Sequence, residues 1–187
     1  REAVEEAKAQ REQAREEFKA RKEAAKDEWE AKREEFKQRL SEIKDERKKR
    51  TVELLDLRTE KMVERWVEHW NKVLSRLTEI LAKIESRADK AEVAGQDVSS
   101  VRAAIAEAEA AIAEAQAAVN ELAGKAFVIE ITDEENLGQN VSDTVHQVRQ
   151  ELQAVREKVR AARQAVLDAL HALQAIRGVD EIEIETE

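Results

Sequence analysis

Three histidines, His69, His146 and His171, are the only side chains here whose ordinary pKa lies near neutrality, and they are far apart in the chain. Asp143 and His146, spaced i,i+3, share one helix face and could give a metal two ligands. One such pair is a weak signal without two further ligands. The run Asp133-Glu134-Glu135-Asn136-Leu137-Gly138 invites comparison with a calcium loop. Such a loop takes an oxygen ligand where Leu137 stands and a glutamate where Thr144 stands, so the run is expected to be a polar turn. There is no cysteine, no phosphate-cradling glycine loop and no nucleophile elbow. Carboxylates are so numerous that no pair stands out as acid and base. We therefore expect no enzyme, no catalytic residue, no cofactor and no metal ligand.

What could position any site is helix. The chain has 187 residues with 40% charged, 3% aromatic and no proline, a composition of long helices and coiled coils. An all-α fold is expected. Residues 1 to 93 hold neither proline nor glycine and are expected to form one continuous helix. Its first part, 1–50, is an extended arm with apolar residues every eleven positions: Ala7, Phe18, Trp29, Leu40 and Ala3, Ala14, Ala25, Phe36. That period gives a nearly straight stripe. Acid-first pairs such as Glu28–Lys32, Glu35–Arg39 and Asp45–Lys49 would support the arm.

Residues 51–177 are expected to form an antiparallel three-helix bundle with helices at about 51–93, 98–123 and 143–177. The first stripe runs Val52, Leu55, Thr59, Met62, Trp66, Trp70, Val73, Leu77. Its two four-residue steps at Met62–Trp66–Trp70 mark a stutter, and the tryptophans are expected to fill the core. Gly95 should stop the first helix and Asp97 cap the second. The second has a strict 3-4 repeat, Val98, Val101, Ile105, Ala108, Ile112, Ala115, Val119, Leu122. Ser142 should cap the third, whose stripe includes Val148, Val155, Val159, Ala162, Val166 and Leu173. Between the second and third helices, residues 126–132 are rich in strand formers and read as a short β-strand. The tail, 178–187, alternates apolar with acidic residues and is strand-like.

The net charge is -9. The only basic run, Arg47-Lys48-Lys49-Arg50, fans around a helix and is preceded by Asp45 and Glu46, so no nucleic-acid face is expected. No stretch has the ~20 apolar residues of a membrane span, and nothing suggests a small-molecule substrate. The chain starts at Arg1 without methionine, so an upstream segment is expected.

Large apolar groups along an exposed arm seek another helix, and an unpaired strand is a template for another chain. The expectation is a structural protein that assembles head to tail with itself into filaments or a surface layer. Phe18, Trp29, Phe36, Leu40 and Ile43 of the arm would lie on a neighbour's bundle. Phe127, Val128, Ile129 and Ile131 would pair with a neighbour's Ile182 and Ile184. The alternative is a monomeric or dimeric module that holds a different protein through residues 1–50.

Leu40-Ser-Glu-Ile43-Lys-Asp-Glu-Arg47-Lys-Lys, Val73-Leu-Ser-Arg76-Leu-Thr-Glu-Ile-Leu-Ala-Lys-Ile84 and Gly95-Gln-Asp97-Val-Ser99 before an alanine-rich helix resemble one family. It comprises secreted-looking, Lys/Glu/Ala-rich helical proteins of unknown function from candidate-phyla-radiation (Patescibacteria) bacteria. The likeness spans roughly residues 36–177. It implies a removed signal peptide and an extracellular or cell-surface location, and it assigns no active residues.

Overall fold

The structure, a computed structural model, describes residues 12, 13, 16, 19, 20, 23 and 26–176. Four helices appear among them: α1 Lys26–Glu42, α2 Glu46–Val93, α3 Ser99–Ala123 and α4 Leu137–Gln174. The described residues form two compact units. One gathers 70–118 and 156–176; the other gathers 26–69 and 119–155.

The first unit follows the apolar repeat. Trp70, Leu74, Leu77, Leu81, Ile84, Ala88 and Ala91 of α2 are buried at alternating steps of four and three, the spacing of a heptad seam. Val101, Ile105, Ala108 and Ala115 of α3 meet them, and Val159, Ala162, Val166, Ala169 and Leu173 of α4 complete the core. Ala88, Ala91, Ala108, Ala115, Ala162 and Ala169 are fully enclosed. Their small side chains let the helices approach closely, so the contact is made by backbone and β-carbons. Gln116 donates to Asn71 at 2.8 Å, while Arg102 meets Asp89 at 2.5 Å and Glu92 at 2.8 Å. Residue numbers rise on one helix as they fall on the other, so this part of α2 and α3 is antiparallel.

The α2–α3 turn follows from its residues. Gly95 has φ +81°, a conformation that costs a side-chain-bearing residue ~1–2 kcal/mol. Its N–H donates to the Glu92 carbonyl and that of Gln96 to the Ala91 carbonyl, the pair of bonds that closes a helix through a left-handed residue. Asp97 then accepts the Ser99 N–H at 3.0 Å and starts α3.

The second unit departs from expectation in three places. The helix expected to be continuous through residue 93 is broken at Ile43–Lys44–Asp45. The reason lies in tertiary contacts, since the corner contains neither glycine nor proline. Trp29, Arg33, Phe36, Leu40 and Ile43 follow steps of four and three, and the last three of them are buried with Val52 and Leu137. The corner folds α1 back on α2 of the same chain and encloses these side chains, each such burial stabilising by ~1.5–3 kcal/mol. The turn's backbone donors are met: Lys44 and Asp45 N–H by the Glu134 carboxylate, Arg47 and Lys48 N–H by Asp45. The arm is therefore not extended from residue 26 to residue 42, where Trp29, Arg33, Phe36 and Leu40 follow steps of four and three. Ala3, Ala7, Ala14, Phe18 and Ala25 of the eleven-residue stripe lie outside the described residues.

No strand occurs among the described residues. Residues 125–133 are irregular, yet Phe127, Val128, Ile129 and Ile131 are buried. The run is apolar enough to be enclosed, but no neighbouring strand accompanies it among the described residues. Side chains answer its backbone instead, as when Ile129 N–H donates to Asp56 Oδ1 at 3.1 Å.

Finally, α4 begins at Leu137, six residues before the start expected after Ser142. Asp133 closes the turn that leads into it, accepting the N–H groups of Glu135 and Asn136 at 2.9 and 2.8 Å, and the Asn136 carbonyl takes the Asn140 N–H as the first helical bond. Burial of Leu137 extends the helix through Gly138. Residues 178–187 lie outside the described residues.

Candidate interaction surface

The densest polar constellation is in the second unit, between α1 and α2. Asp56 and Glu60 lie one turn apart on α2 and both bind the Arg33 guanidinium of α1, one through each terminal nitrogen. Asp56 is 1% exposed and its other oxygen takes the Ile129 N–H. One carboxylate thus ties together α1, α2 and the irregular 125–133 run. The arginine also lies over the Trp29 ring, 5.1 Å from its centre, where a cation is attracted to the π face. Such a shared, buried charge cluster fixes which helix docks and in what register, while its net contribution to stability is modest.

Beside it lies a groove of about 790 Å³. Trp29, Val63, Val67 and Phe127 give it apolar walls, and Glu60, Glu64, Glu68, Lys26 and Lys125 line it as well. Lys125 is held by Glu151 at 2.8 Å and Glu121 at 3.0 Å. Its pKa is raised, first by the Glu151 hydrogen bond and further by Glu121. The lining holds both cations and carboxylates, Lys19, Lys26 and Lys125 with Glu23, Glu60, Glu64 and Glu68, which suits a mixed-charge segment better than a compact anion.

The outward side of α2 carries exposed apolar groups. Leu54 is 45% exposed, Leu57 43% and Trp66 41%, with the Trp66 ring edge-on to His69, centres 5.6 Å apart. The expectation that both tryptophans fill the core holds for Trp70 and is corrected for Trp66: Val63 and Val67 take the inner positions there, and Met62 of the expected stripe is half-buried. The stutter exists three residues earlier, at Thr59–Val63–Val67. The reason is that Asp56, not the half-buried Leu55, is the seam residue before Thr59. A stripe drawn through apolar residues alone slips sideways at that point.

Of the residues expected to serve self-association, Phe36, Leu40, Ile43, Val128, Ile129 and Ile131 share one intrachain cluster, and Phe127 is buried nearby on the groove. In this conformation they are not offered to another chain. Trp29 is half-buried. Phe18, Ile182 and Ile184 lie outside the described residues. Sequence reading missed Arg33, Asp56, Glu60 and Glu134; the available signal was Arg33 standing at a seam position between Trp29 and Phe36.

The sites weighed for metals are otherwise engaged. Asp143 accepts from Gln139 at 2.7 Å and His146 meets Gln150 at 3.0 Å. Asp133 spends its oxygens on the turn that leads into α4. Among the described residues no three His, Asp or Glu side chains gather as a metal site, and no helix is long and apolar enough to cross a membrane. The chain matches no family model, no curated protein and no solved structure.

Proposed function

We propose that this is a non-enzymatic structural protein that self-assembles through helix packing, forming filaments or a surface layer outside the cell. The observation that carries this reading is the α1 seam. It is a complete docking surface, apolar along Phe36, Leu40 and Ile43 and keyed by Arg33, attached through a corner without a helix-breaking residue. Exposed Leu54 and Leu57 on the outer side of α2 add apolar surface for a neighbour. Sedimentation velocity across a wide concentration range, with electron microscopy of the same samples, tests it. Growing species and elongated particles support the reading; a single chain at every concentration removes it. The extracellular location rests on the family resemblance and is checked by fractionating producing cells.

A second reading is favoured by the groove of about 790 Å³. In it the chain is a monomeric or dimeric module that seats a helix of another protein against Trp29, Val63 and Val67. A mass fixed at one or two chains, with Trp29→Ala abolishing partner binding, supports that reading over assembly.

A further inference from the structure

We infer that the corner at Ile43–Lys44–Asp45 is an exchange hinge. When it straightens, α1 leaves its own chain and docks, through the same contacts, on the equivalent α2 segment of a second copy. This rests on the self-assembly proposed above and names the contact that performs it.

The local sequence does not require the corner. From Gln38 to Arg50 there is no glycine or proline, and each residue is acceptable inside a helix. Much of the bend is held from outside: Ile43 is buried in the cluster, and the Glu134 carboxylate takes the Lys44 and Asp45 N–H groups at 2.9 and 3.3 Å. Asp45 also caps α2 locally through the Arg47 and Lys48 N–H groups. In a continuous helix the Lys44 and Asp45 donors would find the Leu40 and Ser41 carbonyls four residues earlier. Straightening therefore leaves no backbone donor orphaned.

The contacts that α1 gives up are recoverable between copies, because the vacated seam on every chain accepts the same helix. Arg33 would again reach an Asp56 and a Glu60, and Phe36 and Leu40 would again meet Val52 and Val128. An element that exchanges identical contacts needs no new complementary surface.

The direction of exchange follows from helix geometry. At 100° per residue, the α1 seam (Trp29, Arg33, Phe36, Leu40, Ile43) and the α2 seam (Val52, Asp56, Thr59, Val63) point about 150° apart on a helix continued through the corner. A straightened chain then presents its arm on one face and its vacant seam on nearly the opposite face. Each face takes a different neighbour, so exchange propagates instead of closing into a pair. Leu54 and Leu57, exposed in the folded-back form, continue the α1 stripe by further steps of four and three through Arg47 and Arg50.

Complementary charge reversal tests this on the full chain. Arg33→Glu in one variant and Asp56→Lys with Glu60→Lys in another each disrupt the ion pairs within a chain; after mixing, matched charges meet only between chains. The expected result is that an equimolar mixture scatters light as multiples of one chain while each variant alone stays smaller, with helix content by circular dichroism confirming that both are folded. In the wild-type background, Glu134→Gln should enlarge the species at a given concentration, and two glycines inserted after Lys44 should shrink them. A mixture that keeps the masses of its components overturns the hinge. So does a wild-type assembly whose size ignores both corner changes, an outcome that leaves self-assembly itself standing.

Discussion

The two units hold their helices together by different means. In residues 70–118 and 156–176 the seam is apolar and small, with six fully enclosed alanines, and its charges sit outside as Arg102–Asp89 and Lys158–Glu114. In residues 26–69 and 119–155 charge enters the seam itself, at Arg33 and Asp56, and an irregular run replaces one wall. Close packing of alanines admits one arrangement because any other leaves voids or clashes. A charge-keyed seam also requires its cation and carboxylates to coincide, which sets register. The first seam is specified by shape alone and the second by shape and charge together.

Breaking the key should have the largest effect. Asp56→Ala leaves the Arg33 guanidinium and the Ile129 N–H without their partner in a buried place, a loss of about 3–5 kcal/mol. Chemical denaturation should show it, and hydrogen exchange should rise first in α1 and residues 127–131. In the first unit, Leu74→Ala removes a side chain that is 1% exposed and should cost about 2–5 kcal/mol. Its exchange should rise in α3 and the end of α4 while α1 stays protected. Equal loosening of both regions by either change would erase the distinction between the units.

Overfilling sharpens the comparison. Ala162→Leu places a larger side chain where none fits and should cost about 1–3 kcal/mol. Gly95→Ala should cost about 1–2 kcal/mol through backbone strain alone, because a β-carbon there meets nothing within 4 Å. Thermal melts of both variants provide the check.

The smallest effect is a pH dependence present in both units. The Ser99 main-chain N–H, then its hydroxyl, hold Asp97 below the ordinary aspartate range; the Asn136 amide, then its N–H, do so for Asp133. A carboxylate with a lowered folded pKa stabilises above its unfolded value and loses that contribution as pH falls through the folded one. Melting temperature should therefore fall as pH drops below about 4. Asp97→Asn and Asp133→Asn should each flatten the acid limb by a small amount.

Most of the first unit is legible in the sequence, because apolar residues hold its seam, although Val73 and Ile112 of the expected stripes are only half-buried and Leu74 takes the inner position beside Val73. Val101, Ile105, Ala108 and Ala115 are buried as the repeat requires, and the Gly95 stop and Asp97 cap stand where expected. The second unit resists the same reading for a physical reason. Its positions are decided by contacts distant in sequence: Arg33 with Asp56, Asp56 with Ile129, and Glu134 with Lys44. Local propensity favours helix through Ile43, and a long-range carboxylate together with a buried isoleucine overrides it. The same blindness to polar seam residues moved the expected α2 stripe onto Trp66. Strand propensity at 126–132 registered side chains suited to burial, while strand formation also needs a neighbour.

The chain has no cysteine, so Glu30→Cys and Lys61→Cys can carry a pair of spin labels, one on α1 and one on α2. Their separation, measured by pulsed electron resonance with doubly labelled chains diluted into unlabelled ones, follows the corner directly. At low total concentration α1 lies against its own α2 and the labels are close. At concentrations where the material assembles, we expect a second population near 46 Å, the span of 31 residues at ~1.5 Å each along an unbroken helix. A short distance that persists unchanged through assembly would contradict the exchange of α1 between chains.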